Sequence, residues 1–327
     1  MLSVSAYLGI NKVTDRIILS DSSSIHPDLV KAFGTGLAGK AYYKSYYRLK
    51  LNVQQKLNNI YCPEHDLFMF TNTTDCLVNF LFACQLNKLG VKIDTGDEQH
   101  YPQYRHLFQL FSEVSVSGDC PDIQLVTHLS PVTGHLLDLS PLSGHSMLAV
   151  DGAQSFATVH HSDLIKHSDV FFAPLHKHAG LHIGIAVLGI KRSHPLNQVL
   201  SSTLETVSSG ARSLQDLMAL EKRLSSAQPQ CFNSAFIHIS PRIQALLNQN
   251  GVTVISSDNS HMVVVECRSA VLRQKLASFF SCKPIKNTDR LRISVNHMTD
   301  NRHYNVDFSE SFYQSLRLLF DEDNHDK

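Results

Sequence analysis

Residues 146–189, SMLAVDGAQSFATVHHSDLIKHSDVFFAPLHKHAGLHIGIAVLG, constrain this chain most. They hold three short apolar runs, 147–150, 170–173 and 183–188, each rich in β-branched or aromatic residues and bounded by Gly, Pro or charge. Runs of that length and composition read as buried parallel strands. Asp151, Gln154, His176 and Lys177 come just after the first two runs. In open α/β sheets, ligands bind off the carboxyl ends of the strands. One crevice therefore receives a carboxylate, an amide, an imidazole and an amine. A lysine in such a place holds an anion as a point charge or serves as a Schiff-base nucleophile. An isolated lysine after a strand more often only reaches out to solvent.

The chain has 327 residues, room for two domains and a sizeable core. Its 29 Lys+Arg balance 29 Asp+Glu, so nothing draws it to nucleic acid or to an anionic membrane surface. No apolar run approaches the ~18 residues of a membrane span. The start, MLSVSAYLGINKVTDR, lacks the basic opening and long apolar core of a signal peptide. Seven cysteines are scattered without CxxC spacing, and Cys62, Cys76, Cys84 and Cys267 sit in or beside apolar runs, as expected of a reduced, cytoplasmic chain. Nineteen histidines, among them His160, His161, His176, His178 and His182, raise the question of a metal. No carboxylate or thiol spacing completes such a site, so none is expected.

Elsewhere, 67–70 reads as a strand and 76–86 as an apolar helix, with Thr71-Asn72-Thr73-Thr74-Asp75 between them. A capped helix start of this kind presents backbone N–H groups and a positive dipole end to an anion, or is simply a capped helix. A strand at 91–94 leads to His100 and Tyr101, loop residues that are more often merely exposed. A strand at 123–127 runs into His128-Leu-Ser130-Pro131-Val-Thr133-Gly134. The tyrosine-rich stretch 41–49 either lines a cleft or partner surface or packs as an amphipathic helix. Helix 214–224 links to an α+β region made of an apolar segment 237–239, helix 241–248, strands 252–255 and 262–266, helix 270–280, strand 291–295 and a helix near 308–320. The expected organisation is an arm over 1–20, a large domain over 21–210, and a linking helix with a small domain over 211–327. Arg292 lies inside an apolar strand pattern, where a cation needs a partner. A structural salt bridge, with Asp289 or a carboxylate of the main domain, would supply one; Arg290 is the fallback for any other role.

Together these residues resemble the class V aminotransferase family of pyridoxal 5′-phosphate (PLP) enzymes, which includes the cysteine desulfurases. In that family an Asp-x-x-Gln follows one strand, an Asp-Phe lies in the next, and Ser-Gly-His-Lys and a Gly-x-x-Gly turn come after. Here Asp151, Gln154, Asp169, His176, Lys177, Gly180 and Gly184 match, with Pro174-Leu175 in place of Ser-Gly. The resemblance spans roughly 17–320 and is strongest over 67–189. It implies PLP-dependent transferase fold type I, an α/β fold with a mostly parallel central sheet and a smaller α+β C-terminal domain. It implies PLP held through an aldimine on Lys177, with Asp151 at the pyridine nitrogen and Gln154 at the 3′-oxygen. Asn72, Thr73 and Thr74 take the phosphate, His100 (with Tyr101 as competitor) lies against the ring, and His176 stands beside the lysine. Arg292 clamps the α-carboxylate of an amino-acid substrate, and the segment 204–210 reaches the phosphate of a neighbouring subunit in a homodimer.

The reaction implied is transamination, or elimination or replacement at the substrate side chain. Desulfuration is disfavoured, because it needs a mobile loop cysteine and neither Cys267 nor Cys282 sits in a Gly/Ser-rich loop. Pro131 stands near the place where desulfurases carry an Asn, so the substrate side of the ring differs. Two alternatives stay open: a diverged protein of the same fold acting as a binding or interaction subunit, and a phosphate-binding α/β protein that takes no PLP.

Overall fold

The computed structural model describes residues 39–93, 100–101, 104–111, 121–144, 146–208, 213–225, 232–282 and 284–325. The N-terminal arm and residues 94, 209 and 210 lie outside this set. The centre is a six-stranded sheet of β1 (His65–Phe70), β2 (Val91–Ile93), β3 (Ile123–Thr127), β4 (Met147–Asp151), β5 (Val170–Pro174) and β6 (Ala186–Lys191), in spatial order 1-6-5-4-3-2. Strands β2 to β5 are parallel neighbours, whereas β6 runs antiparallel between β5 and β1.

The third apolar run is thus not a parallel strand, and it begins at Ala186 rather than at 183, where Ile183 is exposed. The reason is connection length. Residues 175–185 fall short of the dozen or more that a parallel crossover takes. Gly180 and Gly184, at φ +57° and +82°, turn the chain straight back.

Strand alternation explains why these runs read as uniformly apolar. Leu67, Met69, Val126, Leu148, Val150, Phe171 and Ala173 face one hydrophobic layer; Phe68, Phe70, Leu125, Ala149, Val170 and Phe172 face the other. Both faces are covered, so each of these residues is buried. The first layer packs on α1 (Gly39–Tyr61), with Tyr46, Val53 and Leu57. The second packs on α2 (Thr73–Leu86) and on α3 (Tyr104–Leu110) through Tyr104. Leu164 of α4 (His161–His167) joins the first layer, and Leu200 and Leu204 of α5 (Asn197–Val207) join the second. Helix α6 (Leu214–Leu224) lies against α1 with Leu217 and Leu220 in the first layer. The tyrosine-rich stretch is part of α1, with Tyr46 inside and Tyr47 exposed.

Two short pairs follow, β7 (Phe232–Asn233) and β8 (Ala235–Phe236), and then α7 (Pro241–Gln249), β9 (Val252–Val254), β10 (Met262–Cys267), α8 (Ala270–Phe279) and β11 (Arg290–Ser294). Strands β12 (Met298–Thr299) and β13 (Val306–Asp307) pair with β7 and β8, and α9 (Ser309–His325) closes the described chain. β11-β10-β9 form an antiparallel sheet. Val263 and Val265 face the helices with Phe312 and Leu316; Met262 and Val264 face Leu129 of the main body. Arg292 is the cross-strand partner of Val264, and direct partners share a face. That register aims Arg292 at the loop after β3.

Candidate active site

The carboxyl ends of β3, β4 and β5, the start of α2 and the face of β11 enclose a cavity of about 390 Å³. Its lining includes Asn72, Thr73 and Thr74, Asp151 and Gln154, His176 and Lys177, and Arg292. Residues spread over more than 200 positions are thereby brought to one place.

The start of α2 is a reciprocal cap. Asn72 Oδ1 accepts from Asp75 N–H at 2.9 Å, while Asp75 Oδ2 accepts from Thr71 N–H at 3.0 Å and its hydroxyl at 2.7 Å. The cap uses the N–H groups of residues 71 and 75 and not those of Thr73 and Thr74, which stand at the cavity with the dipole end behind them. Asp151 ends β4 and is 4% exposed. Burial raises its pKa. The Ala153 N–H at 2.8 Å, the charges of Lys177 and His100, and a hydrogen bond from Tyr104 work against that rise. The Tyr104 hydroxyl also bonds Thr73, so α3 ties the acid to the turn that opens α2.

Gln154 is 7% exposed and reaches the cavity three residues after Asp151. Arg292 Nη1 donates to Pro131 O at 3.4 Å. Of the partners expected for Arg292, Asp289 accepts from Arg273 Nη1 at 2.6 Å. The fallback Arg290 stands 3.5 Å from Glu266 across the β10–β11 pair. His100 is not among the lining residues. Its Nδ1 shares a 2.7 Å hydrogen bond with Thr127 Oγ1, and the neighbouring Tyr101 is among the lining residues.

Gly134 holds the β3 loop against the C-terminal sheet. It sits at φ +69°, and a Cβ there would meet Ser256 Cβ at 2.6 Å and Val264 Cγ2 at 2.9 Å. Its carbonyl accepts from Ser257 N–H at 3.1 Å.

Ser208 and Glu205 are elsewhere: they line a larger hollow of about 690 Å³ beside α1. That hollow holds Lys50 and Arg192, but Lys50 Nζ donates to Ser208 O at 2.8 Å, Arg192 pairs with Asp66, and neither of its acids, Asp66 and Glu205, is buried. The smaller cavity, with the buried Asp151, is the candidate site. Sequence reasoning missed Tyr104, Leu129 and Ala153 in its lining. Ala153 could have been inferred from its place inside the Asp-x-x-Gln turn; Tyr104 carried no local signal. Among the described residues, no group of three or more His, Cys, Asp or Glu is arranged to hold a metal, and no helix is long and apolar enough to cross a membrane.

Solved structures share this architecture at low identity. A C-DES mutant with glycine covalently linked to its PLP cofactor matches at TM-score 0.66 and 15% identity, over 97% of this chain and 99% of that one. A NifS-like protein matches at TM-score 0.61 and 12% identity, over 95% and 100%. A subgroup IV aspartate aminotransferase from Thermus thermophilus matches at TM-score 0.58 and 14% identity, over 92% and 97%. The fold is PLP-dependent transferase fold type I. No curated protein matches the chain in sequence. A family model described as "Family of unknown function (DUF6024)" matches residues 20–322.

Proposed function

The chain belongs to DUF6024, and for this member we propose a PLP-dependent activity on an amino acid, of the class V aminotransferase kind: transamination, or elimination or replacement at the side chain. One observation carries the reading. A buried acid, an amide, a lysine, an arginine and a capped helix start converge on a single cavity of fold type I.

The donor set suits that cofactor group by group. The α2 start suits its phosphate, Asp151 its ring nitrogen, Gln154 its ring oxygen, Tyr101 or His100 its ring face, and Lys177 its aldehyde. A buried carboxylate is relieved of its desolvation by a cationic partner, which is what a protonated ring nitrogen offers Asp151. Once bound, PLP supplies an electron sink that makes the Cα–H of an amino acid acidic. Asp151 keeps the ring nitrogen protonated. Arg292 orients the substrate through its α-carboxylate. Lys177 takes the proton at Cα and returns it, as general base and then acid, with His176 beside it. Pro131 donates no hydrogen bond, so the wall under Arg292 recognises substrate by shape rather than by an amide.

Desulfuration remains outside the proposal. Cys267 closes β10 and is buried, and burial pushes the Cys282 thiol up to about 11, so neither is a ready thiolate. The proposal includes a homodimer; sedimentation should give twice the chain mass, and a fully active monomer contradicts it.

The test is a titration with PLP followed by absorbance, then a screen of amino acids for spectral change. The expected outcome is saturable binding and a response to a subset of amino acids. Lys177→Ala should still bind the cofactor and lose turnover by about a thousandfold or more. No saturable binding, or full turnover in that variant, contradicts the reading.

A further inference from the structure

A row of buried imidazoles lies behind the cavity and plays no part in the chemistry above. It begins near the surface, where His128 Nε2 donates to Asp163 Oδ2 at 3.1 Å and His167 Nε2 stands 3.6 Å from Asp163 Oδ1. Ring centroids then step 6.3 Å from His128 to His160, 6.3 Å to His261 and 4.4 Å to His178. The row ends at the cavity, where His178 Nε2 is 3.5 Å from Gln154 Oε1. His128 follows β3, His160 precedes α4, His178 follows Lys177, and His261 arrives from the start of β10. The row therefore crosses from the large sheet to the C-terminal one.

Burial holds His160, His261 and His178 well below the ordinary imidazole range, and the nearby charges of Lys177 and Arg292 push His261 and His178 the same way. Each of these rings is neutral, with one N–H and one bare nitrogen. Four nitrogens of the row are buried without a hydrogen-bond partner among the described residues: His128 Nδ1, His160 Nε2 and both of His261. Unsatisfied buried polar atoms are costly. A polar chamber with several of them is where proteins keep ordered water.

We propose that ordered water joins the four rings into one hydrogen-bonded row, and that the row fixes the proton of His178 on Nε2. His178 then holds Gln154 Oε1 and turns the Gln154 amide N–H groups into the cavity, as donors to an anionic ligand oxygen. Asp163 accepts from His128 Nε2–H, which leaves His128 Nδ1 bare. A water that donates both to this atom and to a bare His160 Nε2 reverses the direction of donation. From His160 inward, each ring donates toward the cavity. His178 is a positioning residue that acts through Gln154. The ligand's identity rests on the PLP reading; the row itself does not.

Two measurements separate them. The first uses the full chain without cofactor, ¹⁵N-labelled at histidine, with rings assigned by single His→Gln variants. At pH 7 the rings of His160 and His178 should each show one neutral tautomer, with the proton on Nδ1 in His160 and Nε2 in His178. A His178 proton on Nδ1, or tautomers in exchange, overturns the row. The second compares PLP with its 3-deoxy analogue. His178→Leu should weaken PLP about tenfold, a hydrogen bond to a charged oxygen, and leave the analogue unchanged, while His178→Asn, which keeps a donor, restores PLP. Equal losses for both compounds overturn the positioning role. Wild-type chain that binds neither compound overturns the PLP reading, and the row then stands or falls on the tautomers.

Discussion

Asp151 shows how much one residue can carry. Its place at the cavity was legible because an acid directly after an all-apolar strand falls at the strand's carboxyl end, where open α/β sheets form their crevices. Gln154, His176 and Lys177 line the same cavity and likewise follow strand ends, whereas Arg292 was legible as a cation inside an apolar strand pattern, where it needs a partner. Tyr104 was not legible. It reaches Asp151 and Thr73 from α3, and nothing local in YRHLFQL distinguishes it from a core tyrosine. Nor was the choice between His100 and Tyr101, which depends on the direction of neighbouring side chains in a loop. Asp151→Asn should weaken PLP binding by about ten- to a hundredfold, the worth of a charge-assisted hydrogen bond. An absorbance titration measures it, and unchanged affinity clears Asp151 of the ring-nitrogen role. Tyr104→Phe should cost less, a few-fold, in the same titration.

At the scale of elements, the strand runs and the α2 cap were readable from apolar length and N-cap chemistry. The direction of β6 was misread, although the short glycine-bearing return from β5 to β6 contained the answer. What no local pattern could supply is the seam between the two sheets. It depends on the β10–β11 register, which puts Arg292 opposite Val264, and on the contact of Gly134 with Ser256 and Val264. Gly134→Ala should therefore destabilise the protein by about 1–3 kcal/mol, from overpacking and a left-handed backbone, as seen in denaturant unfolding. It should also raise KM for the amino acid, because the loop under Arg292 moves. Unaltered stability would mean that the seam is soft.

For the whole molecule, the abundance of histidine matters more than the absence of net charge. Burial lowers the pKa of His65, His160 and His161 to about 4, from an ordinary 6.5. Between those values the unfolded chain binds protons that the folded chain refuses, so their contribution is intact above pH 6.5 and is lost as pH falls toward 4. Asp151, with its raised pKa, has the opposite sign but is a single group. The melting temperature should drop steadily from pH 7 to pH 4, and a flat or rising profile contradicts this. The central claim is narrower, and one measurement meets it directly: reduction of the PLP-loaded protein with borohydride, followed by peptide mass spectrometry. The account predicts a pyridoxyl group on Lys177; no label, or a label on another lysine, contradicts it.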